Sequence, residues 1–247
     1  MVKLIFKITQ FIISIIVLLL MLSCGNSINT FNDGIAGNGT VLENNRTISE
    51  KFDAIDVKTG VNVIIEQNEV ASITVKTDEN LQNHLKTEVS NGILSIYFDE
   101  SIQSSTLKTV TVAMPILKKI ETSSGASVQS TNIIKTEQLD LKSSSGSEIL
   151  VQLNTKNLFC DSSSGSTIQA SGKSENLKTE SSSGSSQILN KLEANHAICN
   201  SSSGSSTKVY PLESLNAVAT SGSSIRYYYS PKQIKIEENS GGNVSQK

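Results

Sequence analysis

Two carboxyl groups stand at a spacing that could support bond breaking. Asp161 and Glu180 each lie four residues before a glycine of a repeat, Gly165 and Gly184. If like positions of that repeat sit on neighbouring strands, the carboxyls are about 4.8 Å apart. Carboxyls separated by about 5–5.5 Å suit retaining glycoside hydrolysis, and their mutual repulsion raises one of the two pKa values. The column that holds them reads Glu121, Lys142, Asp161, Glu180, Asn200, Val218, Glu237. No arginine, histidine or aromatic wall converges on the pair, so a solvated face in which Lys142 offsets Asp161 is the stronger expectation. The two histidines, His84 and His196, fall on unrelated segments, and neither a metal site nor a nucleophile triad is expected. No lysine follows the Ser-Gly repeats and no helix starts there, so they make no phosphate loop. No cofactor is expected.

The remaining candidates are contacts rather than catalysts. Tyr227, Tyr228 and Tyr229 follow Arg226; on a strand Tyr227 and Tyr229 share one face. Two exposed tyrosines can stack on sugar rings or anchor a partner protein; the competing expectation is that one side fills the widening end of a core. Near the start, Lys3 and Lys7 precede an apolar run from Phe11 to Leu22, broken only by Ser14. That run is too short to span a bilayer and has the layout of a secretory signal. Leu20-Met21-Leu22-Ser23-Cys24 resembles a bacterial lipobox, which implies a signal over 1–23, lipidation of Cys24 and a lipid-anchored, exported protein. Residues 24–48, rich in Gly and Asn, are read as a flexible tether.

What would position all these groups is a ladder of glycines. Gly125, Gly146, Gly165, Gly184, Gly204, Gly222 and Gly241 recur at intervals of 21, 19, 19, 20, 18 and 19 residues, each preceded by serine. Seven before each glycine stand Lys118, Leu139, Leu158, Leu177, Ala197, Leu215 and Ile234; five before stand Ile120, Leu141, Cys160, Thr179, Cys199, Ala217 and Ile236. Columns two residues apart have the period of a strand. A second apolar position follows each glycine at a drifting offset: Val128, Ile149, Ile168, Ile188, Val209, Ile225, Val244. A unit this short has no room for a crossover helix. The expectation is an all-β, right-handed parallel β-helix with rungs of about 19–20 residues, glycine supplying each corner. Cys160 and Cys199 then share one column two rungs apart, about 9.5 Å. That is too far for a disulfide, so two free buried thiols are predicted.

Residues 49–247 are read as one domain, with irregular rungs over 49–117 and Ser-Gly rungs over 118–247. Gly60 repeats the ladder rule, with Ile55 five before and Val63 three after, and Asn91-Gly92 marks a tight hairpin. Glu79 to Leu85 fits one helical turn or a loop. The pattern Phe52-Asp-Ala-Ile55-Asp-Val, Gly60-Val-Asn-Val-Ile-Ile-Glu-Gln67, Ile73-Thr-Val-Lys-Thr-Asp-Glu-Asn-Leu81 and Glu88-Val-Ser-Asn-Gly-Ile-Leu-Ser-Ile96, followed by the Ser-Ser-Gly-Ser rungs, resembles the head GIN domain family, exported bacterial proteins of auto-transporter adhesin type. The resemblance spans about residues 50–240. It implies a β-helical fold and a cell-envelope location, and carries no catalytic residues. The expected function is adhesion or surface interaction without catalysis. The alternatives are a carbohydrate-binding or carbohydrate-active β-helix, or a structural envelope component. Expected partners are the membrane through the lipid, a surface glycan or envelope protein, and a second copy through the solenoid ends. Scattered Lys and Arg and a net charge of −2 give no footprint for nucleic acid.

Overall fold

The computed structural model describes residues 34–48 and 50–247, together with Lys7, Ser14 and Ile15. Cys24 and nearly all of the expected secretory signal lie outside them. Strands β1 (Ile35–Ala36), β2 (Val41–Arg46), β3 (Ala54–Val57), β4 (Asn62–Gln67), β5 (Ser72–Asp78), β6 (Leu85–Ser90), β7 (Ile93–Phe98), β8 (Ile102–Ser104) and β9 (Lys108–Met114) build one end. Strand β10 (Lys119–Thr122) opens the regular part. The long bent strands β11 (Ser127–Ser143), β12 (Glu148–Ser162), β13 (Thr167–Ser181), β14 (Ser186–Ser201) and β15 (Ser206–Ala219) continue it. Then come β16 (Ser224–Tyr227), β17 (Gln233–Glu238) and β18 (Asn243–Gln246). From β10 to β18 each strand pairs in parallel with the equivalent strand of the next rung. The fold is a parallel β-helix, as the glycine ladder requires.

The corner is a two-residue device. Each ladder glycine has a φ of +69° to +76°, and the serine before it is also left-handed, from Ser240 at +49° to Ser221 at +53°. Two successive positive φ values make a type I′ turn, closed by a backbone bond such as Ser166 N–H to Ser163 O (3.2 Å). The glycine N–H donates to the carbonyl of the next rung's serine, as Gly165 does to Ser183 (3.1 Å), so the corners are stitched into a continuous ladder. Thr59-Gly60 obeys the same geometry, and Gly60 N–H donates to Ser124 O. Far from the glycines, Thr136, Thr155 and Ser174 mark the other bend, each hydroxyl donating to the carbonyl two residues on.

Inside, Leu139, Leu158, Leu177, Ala197 and Leu215 stack in register, as do Leu141, Cys160, Thr179, Cys199 and Ala217. Cys160 and Cys199 are free and buried. Burial pushes both thiols up, Cys199 to about 12, so neither carries a reactive thiolate near neutral pH. The column after the glycine differs from the drifting one read in the sequence. Its offset is constant at three residues, and its members are Val128, Ile149, Ile168, Gln187, Thr207, Ile225 and Val244. Gln187 and Thr207 point inward and are fully buried, while Ile188 faces outward and is partly exposed. Gln187 is held by bonds from its amide to Glu180 O (2.7 Å) and Ser162 Oγ (3.0 Å).

The serine after each glycine from Gly146 to Gly222 is also inward. Ser147, Ser166, Ser185, Ser205 and Ser223 are buried, and each hydroxyl donates to a carbonyl one rung back: Thr122, Ser143, Ser162, Ser181 and Ser201. Each such bond nets roughly 1 kcal/mol, and it removes the larger penalty of an unpaired buried hydroxyl.

At the other end the chain departs from a simple winding. Residues 49–117 do form rungs, but not in chain order: β3 lies between β10 and β7, so the chain enters the second rung, fills the outermost one and returns. The outermost rung is flanked by antiparallel strands, β6 on β7 through the Asn91-Gly92 hairpin, and β5 on β9. Glu79–Leu81 is a single 3-10 turn. The second half of the expected tether is also folded in. Strand β1 pairs with β8 and β2 pairs antiparallel with β5. Asp78 is the clamp: its fully buried carboxylate accepts from Gly39 N–H (2.9 Å), Thr106 N–H (2.7 Å) and Thr106 Oγ1 (2.8 Å).

Candidate functional site

The sheet that runs into each Ser-Gly corner carries the candidate side chains on its outer side. Period-two alternation sends the residues six and four before each glycine outward. The first of these columns reads Lys119, Asp140, Phe159, Lys178, Ile198, Asn216, Lys235, and the second runs from Glu121 to Glu237 through Asp161 and Glu180. Asp161 and Glu180 are register partners on β12 and β13, which puts the strands that carry them about 4.8 Å apart. Partial burial and the Glu180 charge push the Asp161 carboxyl up, and Lys142 opposes them. Glu180 is paired with Lys178 (2.8 Å). An open groove of about 350 Å³ beside them is lined by Ser182, Asn200, Val218 and Thr220.

Phe159, two residues from Asp161, is the centre of this face and was missed as a site residue in the sequence. Its one signal in the sequence is an aromatic residue six before Gly165, between the two apolar columns. Lys178 Nζ lies 5.2 Å and Lys142 Nζ 6.0 Å from its ring centroid. A groove of about 290 Å³ runs beside the ring, with Ile198 (47% exposed) and His196 farther along. Asn176 donates its amide to Asn157 Oδ1 (3.0 Å), forming a short amide ladder along the groove. Among the described residues no group of three or more His, Cys, Asp or Glu could hold a metal ion.

The two tyrosines are separated. β16 stops at Tyr227, so the strand alternation that would place Tyr227 and Tyr229 on one face does not extend to Tyr229. Tyr227 lies over Val209 and is buried, filling the core. Tyr229 is 45% exposed and stacks on Tyr210, with ring centroids 5.5 Å apart. Gly125, Gly146, Gly165, Gly184, Gly204, Gly222 and Gly241 each carry a positive φ at a corner.

The fold recurs in solved structures. A protein described as a "putative adhesin" from Bacteroides fragilis NCTC 9343 matches with a TM-score of 0.80 at 20% identity, over 87% of this chain and 100% of that one. One of the same description from Parabacteroides merdae ATCC 43184 has a TM-score of 0.70 at 20% identity, over 87% and 99%. A "putative lipid binding protein" from Parabacteroides distasonis ATCC 8503 has a TM-score of 0.72 at 21% identity, over 86% and 99%. No curated protein matches. The family model described as "Putative auto-transporter adhesin, head GIN domain" matches residues 51–231. The chain belongs to the head GIN domain family.

Proposed function

We propose that the chain is a lipid-anchored, non-catalytic adhesin of the bacterial cell surface, and that the outer face centred on Phe159 makes its contacts. The adhesin-type family supports the role. The observation that carries the choice of face is its mixture on an open sheet: an aromatic ring beside two lysines, exposed Ile198, amides and carboxylates repeating from rung to rung. Such a surface holds a large or repetitive partner through many weak contacts. Cys24 is the lipid-bearing residue in this reading, after the Leu20–Ser23 segment, and residues 25–33 join the lipid to the folded part. The outer membrane is the anchoring bilayer.

A second reading, a sugar-binding or carbohydrate-active β-helix, is favoured by the Phe159 ring beside the Asn157–Asn176 amides and by the raised Asp161 carboxyl next to Glu180. The anchoring part is tested by protease shaving of intact cells. Wild-type chain is expected to lose the rod to the protease, and Cys24→Ala to leave the membrane fraction. Full protection of the rod, or a Cys24→Ala chain that stays in the membrane, would refute surface anchoring.

A further inference from the structure

Strand β17 is exposed along its whole length. Ile234 and Ile236 continue the inward columns of Leu215 and Ala217, yet they are 47% and 41% exposed, because no described rung lies over them. Asn239 N–H donates to Ala219 O (3.0 Å), as Ser144 N–H does to Thr122 O (3.0 Å) at the same repeat position. Alternation along the strand therefore turns the N–H and C=O of Lys235 and Glu237 toward β15, and those of Ile234, Ile236 and Glu238 toward the open side. Strand β18 is different. Its open-side N–H at Val244 is taken by the Glu238 carboxylate. The longest free stretch of edge is β17, and such an edge is a template for another strand.

Charge selects the occupant. A second copy meeting the first tail to tail about a twofold axis brings β17 against itself, antiparallel. Side-chain alternation allows two central registers. With Ile234 opposite Ile236, Lys235 faces Lys235, which is unfavourable. Lys235 and Glu237 are already ion-paired within one chain (2.8 Å); with Ile236 opposite Ile236, Lys235 of each copy also faces the other copy's acidic position 237, so the four charges alternate in sign, and all three open-side residues exchange backbone bonds. We propose that two copies of the chain pair through β17 in this second register, covering Ile234, Ile236 and the partly buried Val244 of both. The opposite end of the rod presents Glu43, Asn44 and Asn45 on the outer edge strand β2, so the contact is isologous and closes at two copies.

The test is sedimentation of the full chain in mild detergent, with substitutions in β17. Wild type is expected to run as a dimer. Lys235→Glu or Glu237→Lys alone is expected to weaken dimerisation about tenfold or more, and the double exchange to restore it. In an Ile236→Cys variant the two Cα atoms would stand about 5.5 Å apart, within reach of a disulfide. Mild oxidation should cross-link that variant and spare Gln233→Cys, which lies off the axis. A monomer at every concentration would overturn the proposal. So would indifference to the charge exchange, or equal cross-linking of both cysteine variants.

Discussion

Ser181 and Ser185 sit in one rung, both buried, and differ in what they touch. Ser185 Oγ donates to Ser162 O at 2.9 Å, whereas Ser181 Oγ has no partner. Ser185→Ala is expected to cost about 1–2 kcal/mol and Ser181→Ala to be neutral or stabilising, as urea unfolding would read. Equal losses at both would contradict the hydroxyl accounting. At the corner, Ser164 carries a φ of +51°. Ser164→Gly should therefore stabilise by up to about 1 kcal/mol. Gly172 is the opposite case: at φ +113° an added Cβ would meet Leu153 O at 2.0 Å, so Gly172→Ala is expected to cost more than about 2 kcal/mol. The ladder glycines were legible because their period exposes them. The left-handed serines were not, since serine carries no signal for positive φ. The inward Gln187 was also hidden, because a polar residue beside Ile188 reads as the outward one until its amide bonds are seen. Asp161 carries a sign that can be checked. Its folded pKa lies above its unfolded one, so its charge costs stability as pH rises through that interval. Asp161→Asn is expected to match wild type at pH 3 and to equal or exceed it at pH 7. A loss at pH 7 alone would show that the carboxylate is held by a stabilising partner.

Among the elements, the pinned segment 34–46 is the least predictable. Its strands pair antiparallel or across distant positions, β1 with β8 and β2 with β5, and no local period announces such contacts. The Gly-Asn composition instead suggested a tether. What fixes it is Asp78. Burial opposes the charge, but the bonds from Thr106 and Gly39 hold the carboxyl below its ordinary value. The stability it gives is present above about pH 3.9, the unfolded value, and is lost as pH falls through the lower folded value. Hydrogen exchange should show segment 34–46 opening in that acid window before the Ser-Gly rungs do. Asp78→Asn should open it at neutral pH. Uniform protection across the chain at both pH values would refute the clamp. By contrast β11 to β15 were readable to the residue on the sheet before each glycine, where Leu, Cys and Ala keep a fixed count to the corner. Beyond the corner only the offset misled.

At the scale of the molecule, the rod presents one broad face built by repetition, and its candidate chemistry was only half visible beforehand. The Asp161–Glu180 adjacency followed from the repeat; the placement of Phe159 under two lysines required the rotamers of three rungs. In the proposed role that face binds a partner without turning anything over. The decisive measurement is binding and turnover together: cells displaying the chain are applied to a glycan array and to immobilised envelope fractions, with released sugar followed in parallel. Saturable attachment is expected for wild type. It should fall at least about tenfold, roughly 1.4 kcal/mol, in a Phe159→Ser, Lys178→Ser variant, and be unaltered in Asp161→Asn, Glu180→Gln, with no sugar released by any of the three. Sugar release that disappears in Asp161→Asn, Glu180→Gln, or attachment indifferent to Phe159 and Lys178, would contradict it.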